Sequence, residues 1–262
     1  MRSLISSDLY KIRKGKYAFV CTILYTLLAV AFAALVYAGS KIMEAEEEMV
    51  GIGYQFIRES ITGGTVIGNA SLFLAIIVSI FVGSEFGFGT IKNSATKAYS
   101  RVQIYVSKLA VSLIIATIIS LIVTGIGVIA ATVAFGFGTP PDGYMVDAIW
   151  NVLLQLYLTL ALTSLFVMMA MLIRQSGGSI AANICILTFL GTIAMLGSYL
   201  LEWLFKIEVM FTEYMPSMII TELGMVEVLD KSIVTRSLVV GTACLAITTA
   251  IGLFTFQKRD VK

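Results

Sequence analysis

Six stretches of this chain contain no Asp, Glu, Lys or Arg: 17–39, 65–84, 109–139, 148–173, 179–201 and 237–257. Each is long enough to span a bilayer, because about 20 helical residues at 1.5 Å rise cover a hydrocarbon core of about 30 Å. Only helices and closed barrels satisfy every backbone polar group in lipid. The alternating ten-residue strands of a barrel are absent here, so the runs are read as helices. With 58% hydrophobic and 13% charged residues, a soluble monomer would leave more apolar surface in water than such proteins tolerate. The expected fold class is therefore all-α, a polytopic membrane protein with six transmembrane helices, and residues 1–262 form one transmembrane domain.

Orientation follows from the basic residues, which cytoplasmic connections retain in excess. With the N-terminus inside, Arg2, Lys11, Arg13, Lys14, Lys16, Lys92, Lys97, Arg101, Lys108, Arg174, Lys258, Arg259 and Lys262 are cytoplasmic, and only Lys41, Arg58, Lys206, Lys231 and Arg236 are outside. Acidic residues show the opposite bias, with Glu44, Glu46, Glu47, Glu48 and Glu59 after the first span and Glu202, Glu208, Glu213, Glu222, Glu227 and Asp230 after the fifth. Both termini are expected in the cytoplasm. The basic leader and first apolar run resemble a secretory signal, but 17–39 exceeds the usual signal core, so it is read as a retained first span.

Ahead of that span, Ile5, Leu9 and Ile12 recur at helical spacing while Asp8, Lys11 and Lys14 occupy other faces, which suits an N-terminal interfacial helix. A solvated basic leader that only fixes topology is the alternative. The connection 202–236 mixes acids with Trp203, Phe205, Ile207, Val209, Met210, Phe211 and Tyr214, and Pro216 breaks it. Short external interfacial helices before the last span are expected there.

Several function classes lose their usual chemistry. The chain has no His, so zinc hydrolase, haem and Ser-His-Asp readings lack a ligand or base, and no catalytic or metal residues are assigned. It has no GxxxxGK[ST], hence no phosphate-cradling loop of its own. Cys21, Cys185 and Cys244 lie in apolar runs without CxxC spacing, which indicates packing rather than a disulfide framework. A net charge of +2 with scattered basic residues does not suggest nucleic acid. Spans free of ionisable side chains lack the carriers of a proton relay.

Directly after the second apolar run stands Ser84-Glu85-Phe86-Gly87-Phe88-Gly89-Thr90-Ile91-Lys92-Asn93. This segment resembles the second class of ABC exporter permeases, in which an acidic residue, an aromatic and a Gly-Thr-hydrophobic-Lys-Asn run form the coupling helix against the ATPase subunit. The C-terminal Phe256-Gln257-Lys258-Arg259-Asp260-Val261-Lys262 is similar to the tail of such permeases, though less specific. The resemblance implies contact with cytosolic ABC ATPase subunits through Glu85, Phe86, Gly89, Thr90, Lys92 and Asn93. It implies ATP and Mg bound by that partner, no cofactor in this chain, and a second permease subunit, identical or different. Small size and the lack of a large external domain resemble the bacitracin and lantibiotic-immunity peptide exporters of a bacterial plasma membrane. The expected function is outward movement of antimicrobial or other amphipathic peptides by alternating access, with lipid, polysaccharide or sodium as alternative cargo. For each residue of the motif, a role confined to topology or turn formation stays open.

Asn151, Gln155, Thr159 and Thr163 recur every four residues on the fourth run, with Tyr157 nearby, and Asn69, Ser71 and Ser79 add polarity to the second. Asn69, Asn151, Gln155, Tyr157, Thr159 and Thr163 are candidates for a translocation path. Hydrogen bonding between helices is the alternative. Rival functions are a non-transporting membrane receptor or assembly factor, and a channel.

Overall fold

The structure, a computed structural model, describes residues 2–42, 53–57, 70–91, 99–206, 211–226 and 229–258. Among these residues the apolar runs are helical and no strand occurs. The helices are α1 (Arg2–Lys14), α2 (Lys16–Ile42), α3 (Ala70–Gly87), α4 (Arg101–Phe135), α5 (Tyr144–Ile173), α6 (Ser176–Phe205), α7 (Pro216–Met225) and α8 (Lys231–Lys258). Six of them, α2 to α6 and α8, are long and apolar enough to cross a membrane. The chain is thus a multi-pass membrane protein.

Helix ends do not coincide with the edges of the charge-free runs, because capping and not charge terminates a helix. The third span was expected from residue 109, yet α4 starts at Arg101, where Ser100 and Gln103 form a capping box. Lys108 is consequently inside the helix. At 35 residues, α4 is about 52 Å long and exceeds the hydrocarbon core. It stops at Phe135, four residues short of the charge-free run, where Gly136 adopts φ 76°. Likewise α8 begins at Lys231 rather than near 237.

The centre of the bundle is α5, which packs against α3, α4, α6, α7 and α8. Leu74 and Ile77 of α3 and Leu158 and Phe166 of α5 are fully buried. The outer helices keep large apolar side chains exposed, among them Phe19, Leu35, Val133 and Ile193, as lipid-facing surfaces require. Close approach of α3 and α6 depends on Gly83: a Cβ there would lie 2.6 Å from Ser176 Cα.

At one end, rich in basic residues, α1 meets α4, and Arg101 Nη1 donates to Gln257 O at 2.8 Å, joining the start of α4 to the end of α8. At the opposite end, Gly53 N–H donates to Gly136 O at 3.0 Å and Tyr54 N–H to Phe137 O at 3.1 Å.

The connection before the last span does contain short helical elements, a 3-10 turn at Phe211–Tyr214 and α7. The 3-10 turn has no buried residue, but α7 is not merely laid on the outside. Ile219, Ile220 and Leu223 of α7 are buried in the main core.

Candidate functional site

The motif that closes the second span lies at the basic end and builds a tight exit from α3. Phe88 N–H donates to Ser84 O at 2.9 Å and Gly89 N–H to Phe86 O at 3.2 Å. Gly89 has φ 66°, the left-handed conformation that ends many helices and that a Cβ disfavours. Thr90 Oγ1 donates back to Glu85 O at 3.3 Å. The result is a turn with Phe88 at its tip, 83% exposed. Phe86 points the other way and is half-buried, its ring 5.7 Å from the Arg174 guanidinium at the end of α5.

Beneath this turn Glu85 is buried and belongs to an ion cluster that joins three helices. Lys108 Nζ of α4 lies 2.6 Å from Glu85 Oε1 and 2.7 Å from Asp8 Oδ1 of α1. Lys11 Nζ, also from α1, lies 2.9 Å from Glu85 Oε1 and 3.5 Å from Asp8 Oδ1. Ser107 Oγ donates to Asp8 Oδ2 at 2.9 Å. The Phe81 ring adds a cation–π contact, its centroid 4.8 Å from Lys108 Nζ. Two cations and two carboxylates cancel, which is the condition for keeping such groups out of water.

Lys11 is the exposed member, with 38% of its side chain accessible. Burial alone would lower its pKa, but the hydrogen bond and charge of Glu85, with those of Asp8, outweigh this and hold it above 10.5. Glu85 Oε2, in contrast, is buried without a hydrogen-bond partner among the described residues.

The local sequence explains why Asp8 faces inward. Leu4, Asp8 and Ile12 recur at i, i+4 and i+8 and are the buried residues of α1, so one face carries two apolar anchors with an acid between them. The expected stripe of Ile5, Leu9 and Ile12 is shifted by this packing: Ile5 and Leu9 are half-buried.

Of the coupling-motif residues, Glu85 is turned into the ion cluster, Phe86 packs beside Arg174, and Gly89 and Thr90 shape the turn. Lys92 and Asn93 lie outside the described residues, as does Asn69. Asp8, Lys11, Ser107, Lys108, Arg174 and the exposed Phe88 complete the site, and none was singled out as a site residue from sequence. Asp8 was expected on a face away from Ile12, whereas its spacing of four residues from both Leu4 and Ile12 is the signal that marks it as inward-facing.

The polar residues of α5 are brought together, but inside the bundle. Asn151, Gln155, Thr159 and Thr163 are at most 1% exposed. Asn151 Nδ2 donates to Leu223 O at 2.7 Å, and Gln155 Nε2 donates to Asn151 Oδ1. Thr159 and Thr163 donate to carbonyls one turn back, those of Gln155 and Thr159, both at 2.8 Å. Leu223 sits in the last turn of α7, where carbonyls lack helical partners, so Asn151 fixes the buried end of that helix. Tyr157 is half-buried against Gly241 of α8. Ser79, noted for polarity alone, accepts from Asn183 Nδ2 at 2.8 Å and ties α3 to α6. Of these bonds, Asn151 to Leu223 O and Asn183 to Ser79 join separate helices, and the others lie within α5.

Among the described residues no group of three or more His, Cys, Asp or Glu is arranged to hold a metal ion. The model of the family described as "Protein of unknown function (DUF2705)" matches residues 29–262. No curated protein matches the chain.

Proposed function

The chain belongs to the DUF2705 family, and we propose that it is the membrane-spanning subunit of an ATP-driven exporter whose ATPase is a separate chain. The observation that carries this reading is the turn after α3, whose exposed Phe88 stands directly above the buried cluster of Asp8, Lys11, Glu85 and Lys108. An aromatic on a tightly wound turn is a suitable anchor for a partner's pocket. The cluster beneath it binds α1, α3 and α4 into one unit, so a push on the turn moves three helices together. Motion of that kind is what coupling to nucleotide-driven closure demands. ATP and Mg bind the partner in this reading.

The direction of transport and an amphipathic peptide as cargo rest on the resemblance of 84–93 to exporter permeases. In this reading the cargo passes between permease subunits, and the polar row of α5 bonds to α7 and to its own helix. Both termini and the turn face the cytoplasm in this reading, which the excess of Lys and Arg at that end supports.

The test is purification of the tagged chain from its native membrane in mild detergent, with identification of what accompanies it and measurement of ATP hydrolysis. Glu85 also holds α1, so the docking variants are Phe88→Asp and Lys92→Ala. A nucleotide-hydrolysing partner retained by the wild type and lost on Phe88→Asp, with unfolding unchanged, supports the reading. Recovery of the chain alone, or with partners that bind no nucleotide, excludes it and favours a receptor or channel.

A further inference from the structure

Three basic side chains, Arg13, Lys14 and Lys16, stand exposed where α1 passes into α2. None of them has a carboxylate within ion-pair distance among the described residues. Asp8 and Glu85 are the only acids of α1, α2, α3 and α4, and Lys11 and Lys108 already neutralise them. In the sequence, Asp260 is the only further acid in 1–16, 84–108, 174–178 and 257–262, the stretches next to the basic ends of the spans, and Lys or Arg occurs in every one of them. The corner therefore carries a surplus of positive charge.

These cations are held in place. Gly15 N–H donates to Lys11 O at 2.8 Å and to Ile12 O at 3.1 Å, so α1 passes into α2 without a slack linker. Buried Leu4 and Ile12, together with the contact of Asp8 with Lys108, fix α1 against α4. Groups ordered in advance cost less to engage.

Their level and facing select the occupant. Lys16, Phe19, Val20, Ile23 and Leu27 share one face of α2 at helical spacing, and the four apolar members are 41–69% exposed, as a lipid-facing stripe is. Lys16 thus stands at the foot of that stripe, where the charge-free run begins. Arg13 is three residues further out, about 5 Å at 1.5 Å per residue, which is within a headgroup layer about 5–8 Å deep on each side of the hydrocarbon. The exposed Tyr10, its ring centroid 6.0 Å from Lys14 Nζ, is an aromatic of the kind enriched at that depth. An acidic protein surface would also suit the charges, but it would approach from water, and Lys16 lies on the face turned to lipid.

We propose that the α1–α2 corner binds the headgroup of an anionic phospholipid, its phosphate on Arg13, Lys14 and Lys16 and its acyl chains along the Phe19 to Leu27 stripe. The site is independent of whether an ATPase docks at the turn after α3. Because Lys11 is spent on the ion cluster, it takes no part in the binding.

The experiment is native mass spectrometry of the full chain released from mixed micelles containing phosphatidylglycerol or, separately, phosphatidylcholine. The variants are Arg13→Gln, Lys14→Gln and Lys16→Gln, singly and together, with Lys206→Gln as the control that removes an exposed cation elsewhere. Phosphatidylglycerol is expected to be retained in preference to phosphatidylcholine. Its retention should fall about fivefold in each single variant, the effect of one basic residue near an anionic lipid surface, and about a hundredfold in the triple one, while Lys206→Gln changes nothing. Thermal unfolding of each variant shows that it folds, and the single variants decide the matter if the triple one does not. Equal retention of the two lipids would overturn the proposal and leave the three charges to orientation or to a protein partner. A preference unaltered in the single variants, or lost equally in Lys206→Gln, would overturn it as well.

Discussion

Lys108 and Lys11 share the same two carboxylates, yet their removal should have different consequences. The Lys108 side chain is 3% exposed and that of Lys11 38% exposed. Deleting one partner of a buried ion pair leaves the others charged and desolvated, at a cost of about 3–5 kcal/mol. Lys108→Met therefore is expected to lower unfolding stability in detergent by that amount, and Lys11→Met by less than about 1 kcal/mol. Equal effects in denaturant unfolding would mean that the cluster is not buried as described. The pH dependence has a defined sign. Because the folded pKa of Lys11 is raised above 10.5, its contribution is complete below the unfolded value and is lost as pH rises through the folded one. The stability difference between wild type and Lys11→Met should hold constant from neutrality to about pH 10 and decline only as pH rises further, through the raised folded value, as a series of melting curves would show.

Among the elements, α3 depends on a missing side chain. At Gly83 an added Cβ would lie 2.6 Å from Ser176 Cα and 2.7 Å from Ser176 N, both backbone atoms that cannot rotate away. Gly83→Val should force α3 and α6 apart at a cost of about 1–3 kcal/mol. Gly39, in α2, meets nothing within 4 Å, so Gly39→Ala should be neutral or stabilise by up to about 1 kcal/mol through helix propensity. Thermal unfolding of the pair separates packing from propensity. The short helices obey the same logic. Both α1 and α7 are too short to be stable alone in water, and each is held by a buried face with a polar tie, Asp8 to Lys108 and Leu223 O to Asn151.

For the molecule as a whole, six spans place the first and last helices' outer ends on one side of the membrane. The contact of Arg101 with Gln257 brings the start of α4 to the end of α8 at the end where α1 also packs. In a chain without its native cysteines, a cysteine introduced at Tyr10, 61% exposed, and one at Lys258 are expected to react with an impermeant thiol reagent only after the cell membrane is opened. A cysteine at Tyr214, 60% exposed, should react in intact cells. The reverse pattern would invert the orientation that the Lys and Arg distribution predicts.

The number of long apolar helices was legible in the sequence itself, because a charge-free run of twenty or more residues satisfies its own backbone in lipid as a helix. The sharp turn after α3 was legible for a similar reason: Gly89 is a residue type matched to a left-handed φ. What charge counting could not place was a charge that packing protects. Lys108 stands one residue before an apolar run and reads as a topology signal, and Glu85 reads as part of a surface motif. Only the approach of α1, α3 and α4 shows that they neutralise each other with Asp8. The polar row of α5 has the same history. Its spacing was visible, but the partner of Asn151 was not, because the Leu223 carbonyl comes from α7, a segment about seventy residues further along the chain. Periodicity specifies which residues share a face, and the partner of that face is decided by long-range packing.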